Sequence, residues 1–520
     1  MLRSIFALFF RSLRTDSRSI WVHLSWFFLL LVIYVALLYA QDQERFTGAP
    51  GLQFFRTVIY LDAAFVTLLG ISYFSSAISE EKEEDTLGLM TMAGISPLGL
   101  LLGKSTTRLF QVFLLLAVQY PFTLLAITLG GLMPDQIYAA YAALLAYTAL
   151  LANAGLLCSV LSRRNRDASG LTTLWVVGYI FGPLFALLGL GMISNTISPF
   201  WSSWAPTLGP VLKWLSETSV FGQLFQVTET GYQFAWTPQL ISNPVVGLLF
   251  FLMSWGLFGY VSHEVAPDAT NRLLVPKKSS RFRLFGAGRA WNQALSWKDF
   301  HFIAGGWLSI VIRCGLYLGL YGLAVAATFP WDQPVDVRQI RWQDVTFGYE
   351  MFVVPLFVVD CALCASRIFH DEIRHQTLAS LLMLPRSIPQ LVYSKIIGCL
   401  FGLIPGAIAV MCAFLLLPGG MDNLMSGIDE PAAWWFGLNL ILLIHLCLVV
   451  SLYLRWGAIA MSFALTSGSM MLSTMFMSTF RFSPNFRPDH ILGVLVIPVS
   501  LAIVSCHLLI LLRLPALGEK

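Results

Sequence analysis

The chain has 520 residues, 57% of them hydrophobic and 12% charged, with a formal net charge of +4. An ordinary soluble domain is about 25% charged, so a soluble fold of this composition would run short of polar surface. That excludes a water-soluble globular protein and places the chain in a bilayer.

Crossing a hydrocarbon core of ~30 Å takes about 20 helical residues with few charges. At the N-terminus, Ile5–Phe10 is too short for a secretory signal core and is followed by Arg11, Arg14 and Arg18. An amphipathic helix on the membrane surface is the expectation there. The runs that meet the length test are Ile20–Ala40, Val58–Ile78, Leu109–Leu129, Tyr138–Leu161, Leu171–Ile193 and Leu240–Val261, then Leu308–Thr328, Phe347–Phe369, Ile396–Leu416, Trp434–Leu454, Gly457–Met477 and Ile491–Leu512. The prediction is an all-α polytopic membrane protein of twelve transmembrane helices in two six-helix repeats. Its parts are a first half over 1–263, a basic linker and surface helix over 264–303, and a second half over 304–520.

Basic loops stay on the cytoplasmic side. With the N-terminus inside, the inner segments hold 24 of the 32 Lys and Arg residues, which predicts both termini cytoplasmic. The linker Asn271–Arg289 fits contact with anionic headgroups better than nucleic acid, and Trp291–Phe300 after it predicts a second surface helix. In the fifth span, Gly178-x-x-x-Gly182-Pro183 predicts a close-packed or kinked helix. The loop Ser194–Gln239, with Trp201, Trp204, Trp214 and Trp236, is the longest outer segment. Its counterpart Ser478–His490 is much shorter. The eight cysteines are scattered, and Cys361-x-x-Cys364 has neither a second pair nor a nearby His to complete a zinc site.

Two segments 291 residues apart share a pattern. Without a gap, Glu80 falls on Asp371, Glu81 on Glu372, Thr86-Leu87 on Thr377-Leu378, Ser96 on Ser387 and Lys104 on Lys395, as expected of a duplicated unit. In each copy the Thr is a candidate N-cap of a short helix with an apolar stripe: Leu89, Met92 and Ala93 in the first, Leu378, Leu381 and Leu382 in the second. Ser96-Pro97 and Ser387-x-Pro389 then restart a helix that enters the next span. An acidic cluster (Glu80, Glu81, Glu83, Glu84, Asp85) is unusual on a cytoplasmic face, and its recurrence as Asp371-Glu372 points to a protein contact.

This pattern resembles the cytoplasmic loop between spans 2 and 3 of type-2 ABC transporter permeases. The stretches Phe10–Arg18 and Trp297-Lys298-Asp299 resemble that family's surface helix. The resemblance implies six spans per permease half and a loop that forms a coupling helix docked on an ATPase subunit, hence an ATP-driven exporter with two halves fused in one chain. It assigns the ATPase-coupling interface to Glu80, Glu81, Thr86, Leu87, Leu89, Met92, Asp371, Glu372, Thr377, Leu378 and Leu381. The second copy departs from the pattern where Ile373-Arg374-His375-Gln376 replaces much of the acidic run.

No catalytic, cofactor or metal site is expected on this chain. Gly99-Leu-Leu-Leu-Gly103-Lys104-Ser105 has three residues between its glycines where a P-loop has four, and no strand precedes it. ATP and Mg are therefore expected only through partner subunits, a pair of cytoplasmic ABC ATPases, with membrane lipid as the other partner. Ionisable residues in or near spans are costly and mark candidate paths: Asp62, Asp360 and His445, and of the same kind Arg313 and His507. A twelve-span secondary transporter would need such carboxylates for ion coupling. A membrane scaffold that transmits ATPase strokes without transport is the alternative from another class. A membrane enzyme ranks last because no nucleophile or paired carboxylates recur.

Overall fold

The computed structural model describes residues 9–11, 14, 20–47, 49–195, 210–211, 213–215, 217–263, 289–328, 342–374, 376–415, 431–454, 457–481 and 488–518. Most of the expected N-terminal surface helix and nearly all of the basic linker lie outside the described residues. Those described form helices and connecting turns without strands. In hydrocarbon each backbone N–H and C=O must be satisfied within its own segment, and the helix does this. Ten described helices are long and apolar enough to span a bilayer, or eleven if one pair bent by 52° counts as a single span. The expected twelve are not all among them. The fifth falls on a helix whose side chains from 183 onward lie outside the described residues.

The chain divides into two compact units, one of Met1–Leu190, Pro206–Thr270 and Phe463–Met475, the other of Gly191–Ala205, Asn271–Ser462 and Phe476–Lys520. The first unit contains α1 (Ile20–Thr47), α2 (Pro50–Tyr73), α3 (Ser79–Glu83), α4 (Thr86–Met92), α5 (Pro97–Thr128), α6 (Pro134–Leu161), most of α7 (Asn165–Asn195), α8 (Val220–Val227) and α9 (Pro238–His263). Proline opens α2, α5 and α6, where its missing N–H leaves no bond unmade. The buried helix α2 packs on α1, α5 and α6, and α6 packs on α9 and α8. At Gly70 and Gly155 a Cβ would strike Leu151 and Phe74, so α2 and α6 approach closely there.

The second unit contains α10 (Ala294–Phe302), α11 (Gly306–Thr328), α12 (Trp342–Arg367), α13 (His370–Arg374), α14 (Leu378–Leu382), α15 (Ile388–Leu415), α16 (Pro431–Ser451) and most of α18 (Pro488–Gly518). Here α12 packs on α11, α15 and α16, and α16 packs on α18. The neighbour relations of α1, α2, α5, α6 and α9 thus recur in α11, α12, α15, α16 and α18. The middle of α17 (Ala458–Arg481) belongs to the first unit, with Gly468 against Val32 of α1.

Close packing by glycine is found elsewhere than the sequence motif suggests. Among the described residues a Cβ at Gly178 or Gly182 would meet nothing within 4 Å, so the close packing expected as one of two readings is not found there. On α15, by contrast, Gly398, Gly402 and Gly406 form a stripe at i, i+4, i+8. A Cβ at these positions would lie 2.5 Å from the Ser296 carbonyl oxygen, 2.4 Å from the Ala304 Cβ and 2.5 Å from the Phe357 ring. This seam brings α10 and α12 against α15 at backbone distance.

Candidate functional site

The loop between α2 and α5 is organised around one carboxylate. Glu81 is buried on α3 and its two oxygens have different partners: Oε1 pairs with the Lys104 ammonium from α5 and Oε2 accepts the Thr86 hydroxyl. Asp85 supplies the bend between them, with φ at 53°, in the left-handed region a non-glycine residue rarely occupies. Burial acts to raise the Glu81 carboxyl, but the Lys104 charge and hydrogen bond, the Thr86 hydroxyl and Arg108 outweigh it and hold it below the usual range.

Glu80 and Glu83 of the acidic run are engaged as well, while Glu84 and Asp85 are exposed. Glu80 lies 3.6 Å from the Arg108 guanidinium, which donates to the Tyr73 carbonyl and to Ser76 Oγ at 2.8 Å, with its carbon 4.8 Å from the centre of the Tyr73 ring. Glu83 accepts from the Asn165 N–H at 2.7 Å, at the start of α7. Lys82 donates to the carbonyls of Ser159, Val160 and Ser162 at the end of α6, where helix carbonyls lack partners. Burial and then the charge of Arg163 bring Lys82 down to about 8. Ser159 Oγ accepts the N–H groups of Ile78 and Ser79, both at 2.8 Å. The cluster therefore fastens α3 to α5, α6 and α7, where the sequence alone suggested a contact surface.

The outward face carries two large apolar side chains beside the polar Glu84, Asp85 and Thr91. On α4, Leu87 packs into a core with Ile78, Leu100, Leu101, Leu156 and Val160, whereas Leu89 is 66% and Met92 86% exposed. Gly94, at φ 76°, turns the chain back, and Ser96 caps α5 by accepting the Gly99 N–H at 3.2 Å.

The loop between α12 and α15 repeats this arrangement at matching positions. Glu372 is buried, its Oε1 2.9 Å from Lys395 Nζ, and its Oε2 accepts the Thr377 hydroxyl. Gln376 stands where Asp85 does and has φ 54°. Leu378 is buried, Leu381 and Asp371 are half-buried, and Met383, aligned with Met92, is 85% exposed. Both threonines depart from the capping role expected of them. Thr86 is the first helical residue and Thr377 the cap by position, and neither accepts a helix N–H; each gives its hydroxyl proton to the glutamate.

The second loop is also tied to the surface helix. Lys395, 0% exposed, bridges Glu372 to Asp299 Oδ2 at 2.9 Å, and Lys298 reaches Glu372 Oε1 at 2.6 Å. Ser296 Oγ donates to the Ser394 carbonyl at 2.6 Å. Lys104, Arg108, Lys298, Asp299 and Lys395 are thus site residues that the sequence assignment omitted. The shared 23-residue interval from Glu81 to Lys104 and from Glu372 to Lys395 was the available signal.

The three candidate path residues have local partners. Asp62, 1% exposed, is central in α2 and not near its end, and the Gln119 amide, turned with its nitrogen toward the carboxyl, donates at 2.5 and 2.8 Å. Asp360 forms a 2.7 Å ion pair with Arg313, which also donates to the Gly402 carbonyl at 2.7 Å. His445 Nδ1 is 2.9 Å from the Ile441 carbonyl of its own helix, and its ring is 5.8 Å from that of His507, whose Nε2 lies 3.1 Å from the Tyr393 hydroxyl.

Residues 307–473 match the family model described as ABC-2 family transporter protein. The match runs from α11 into α17 and takes in the second loop with Glu372 and Lys395. No curated protein matches the chain at significance.

Proposed function

We propose that this chain, with an ABC-2 transporter domain in its second half, is the membrane subunit of an ATP-driven exporter carrying two permease halves. ATP and Mg are bound by two separate ATPase subunits on the cytoplasmic side, which dock on Leu89 and Met92 in one loop and on Met383 in the other. The observation that carries this reading is the recurrence, 291 residues apart, of a buried glutamate held by a lysine and a threonine, a left-handed residue, and an outward methionine. An exposed methionine is a poor end in water and a good one against a partner, because its flexible thioether fills irregular pockets.

Mechanically, each clamp makes the short helix part of the following span. A load on Met92 passes through Leu87 and Glu81 to Lys104 and α5; a load on Met383 passes through Glu372 to Lys395 and α15. Export by alternating access then follows from tilting those spans. The secondary-transporter reading is weakened by Asp360, whose charge is already matched by Arg313. The test is affinity purification of the tagged chain from native membranes in mild detergent. Two ATPase subunits per chain, lost on Leu89→Asp with Met383→Asp while the chain still inserts, are expected. Retention of the ATPases by that double variant overturns the assignment of the docking surface, and their absence from the wild type overturns the permease reading.

A further inference from the structure

Beside α10 and the start of α11 lies a cavity of about 420 Å³, lined among others by Trp291, Phe300, Trp307, Cys314, Phe401 and Ile404. Its shape follows from the turn between α10 and α11, which bends by 52° at Gly305 and Gly306, both with positive φ (90° and 66°) that only glycine adopts freely. Beyond the bend α11 packs on α15, and the cavity is the groove left between the bent pair and α15. Aromatic rings brace it: Trp291 stacks on Phe300 at 5.4 Å and meets Phe401 edge-on at 5.5 Å, and Phe300 meets Trp307 edge-on at 5.4 Å.

No charged or hydrogen-bonding side chain lines the groove except the indole nitrogens and the Cys314 thiol, so water has nothing to hold it there. Its open side continues into the apolar outer wall of the bundle, where Leu308, Ile312, Leu400 and Ile408 are exposed. That wall faces lipid in a spanning protein. Trp291 and Trp307 sit at the junction of α10 with the span, the depth at which indoles meet headgroups. Arg289, exposed two residues before Trp291, supplies a cation at the headgroup level.

We propose that this cavity seats one acyl chain of an anionic phospholipid from the leaflet on the α10 side, which is cytoplasmic in the orientation proposed above. Volumes of ~300–1,000 Å³ are those of specific ligand sites, and this one takes a single chain. The lipid is resident and not cargo. It braces the α10–α11 bend, and through α10 it fixes where Asp299 meets Lys395.

The test uses the full chain alone, reconstituted in phosphatidylcholine vesicles that contain a small fixed fraction of phosphatidylglycerol with a diazirine in its acyl chain. Adducts are mapped by mass spectrometry after irradiation. Peptides covering 291–314 and 401–408 are expected to be labelled several-fold more than the exposed α18 residues Leu508 and Leu512. The excess should fall to the α18 level in Cys314→Phe, which fills the cavity, and persist in Ile404→Ala, which widens it. In the wild type, replacing part of the phosphatidylcholine with unlabelled phosphatidylglycerol at the same probe fraction should compete the excess away without changing α18. Labelling at the α18 level throughout, excess labelling that neither Cys314→Phe nor competition reduces, or chain-to-chain crosslinks in place of lipid adducts each overturn the proposal. If Cys314→Phe fails to fold, the wild-type excess and its competition decide. No ATPase or ATP is present, so failure of the permease reading is measured separately.

Discussion

In the first loop the clamped glutamate is fastened by a lysine that keeps a quarter of its side chain in contact with solvent, and the surrounding charges belong to α3, α5, α6 and α7. In the second the lysine is sealed from solvent and shared between two carboxylates, one from the loop and one from α10. The same geometry at Glu81 and Glu372 therefore rests on different foundations: a partly hydrated lysine among several separate ties on one side, a dry lysine shared by two carboxylates, with Lys298 at its edge, on the other. An exposed ion pair contributes about 0–1 kcal/mol, whereas removing one partner of a buried set costs about 3–5 kcal/mol because the charges left behind have no water. The first loop should tolerate damage in small steps and the second should fail at one point.

The largest expected effect tests that difference directly. Lys395→Met strands Asp299 and leaves Glu372 with Lys298 as its one cation, and should destabilise the protein by about 3–5 kcal/mol, more than Lys104→Met, whose lysine is partly hydrated, read as the loss of monodisperse protein on heating in detergent. Equal losses would erase the distinction. Asp299→Asn combined with Lys395→Met should recover part of the loss, since it removes the stranded charge.

Next in size is docking. Met92→Asp and Met383→Asp alter only the exposed tips and should leave melting unchanged. Each should weaken ATPase binding by about tenfold, the equivalent of 1.4 kcal/mol. A variant with normal binding would show that its loop is not a docking site, and a loss confined to one loop would show that the two halves engage their ATPases unequally.

The smallest effect is the pH response of the first loop. Glu81 is held below the usual carboxylate range, so its contribution is fully present above the ordinary value near 4.5 and is lost as pH falls through its lowered value. Amide protection of residues 79–96 should therefore decline in mild acid, and Glu81→Gln should show weak protection already at neutral pH with a flatter acid profile. An unchanged profile in Glu81→Gln would assign the response to another carboxylate.

Much of the architecture was legible in the composition, since long uncharged runs have one stable form in hydrocarbon. The clamps were half legible. The offset of 291 residues aligned Glu81 with Glu372 and Lys104 with Lys395, yet the role of the threonines was misread because a Thr ahead of a short apolar helix looks like a cap. Its hydroxyl instead meets a carboxylate five residues earlier in the chain. Asp299 could not be found this way, because it reaches Lys395 from 96 residues away through a helix whose placement depends on packing. Likewise Asp360 stood out as an intramembrane carboxylate, but only the fold shows Arg313 beside it. Composition reports which segments are buried in lipid, and pairings between segments follow from tertiary contact.

The glycine stripe of α15 carries a genetic consequence. Every single-base change at a glycine codon that alters the amino acid adds a side chain or ends the protein, and at Gly398, Gly402 and Gly406 the space for a first carbon is already filled by Ser296, Ala304 and Phe357. Gly398, against the Ser296 backbone, is therefore the least replaceable of the three by a single codon change, whereas Gly406 meets the edge of the Phe357 ring and the Tyr317 hydroxyl, which can shift to admit a small side chain.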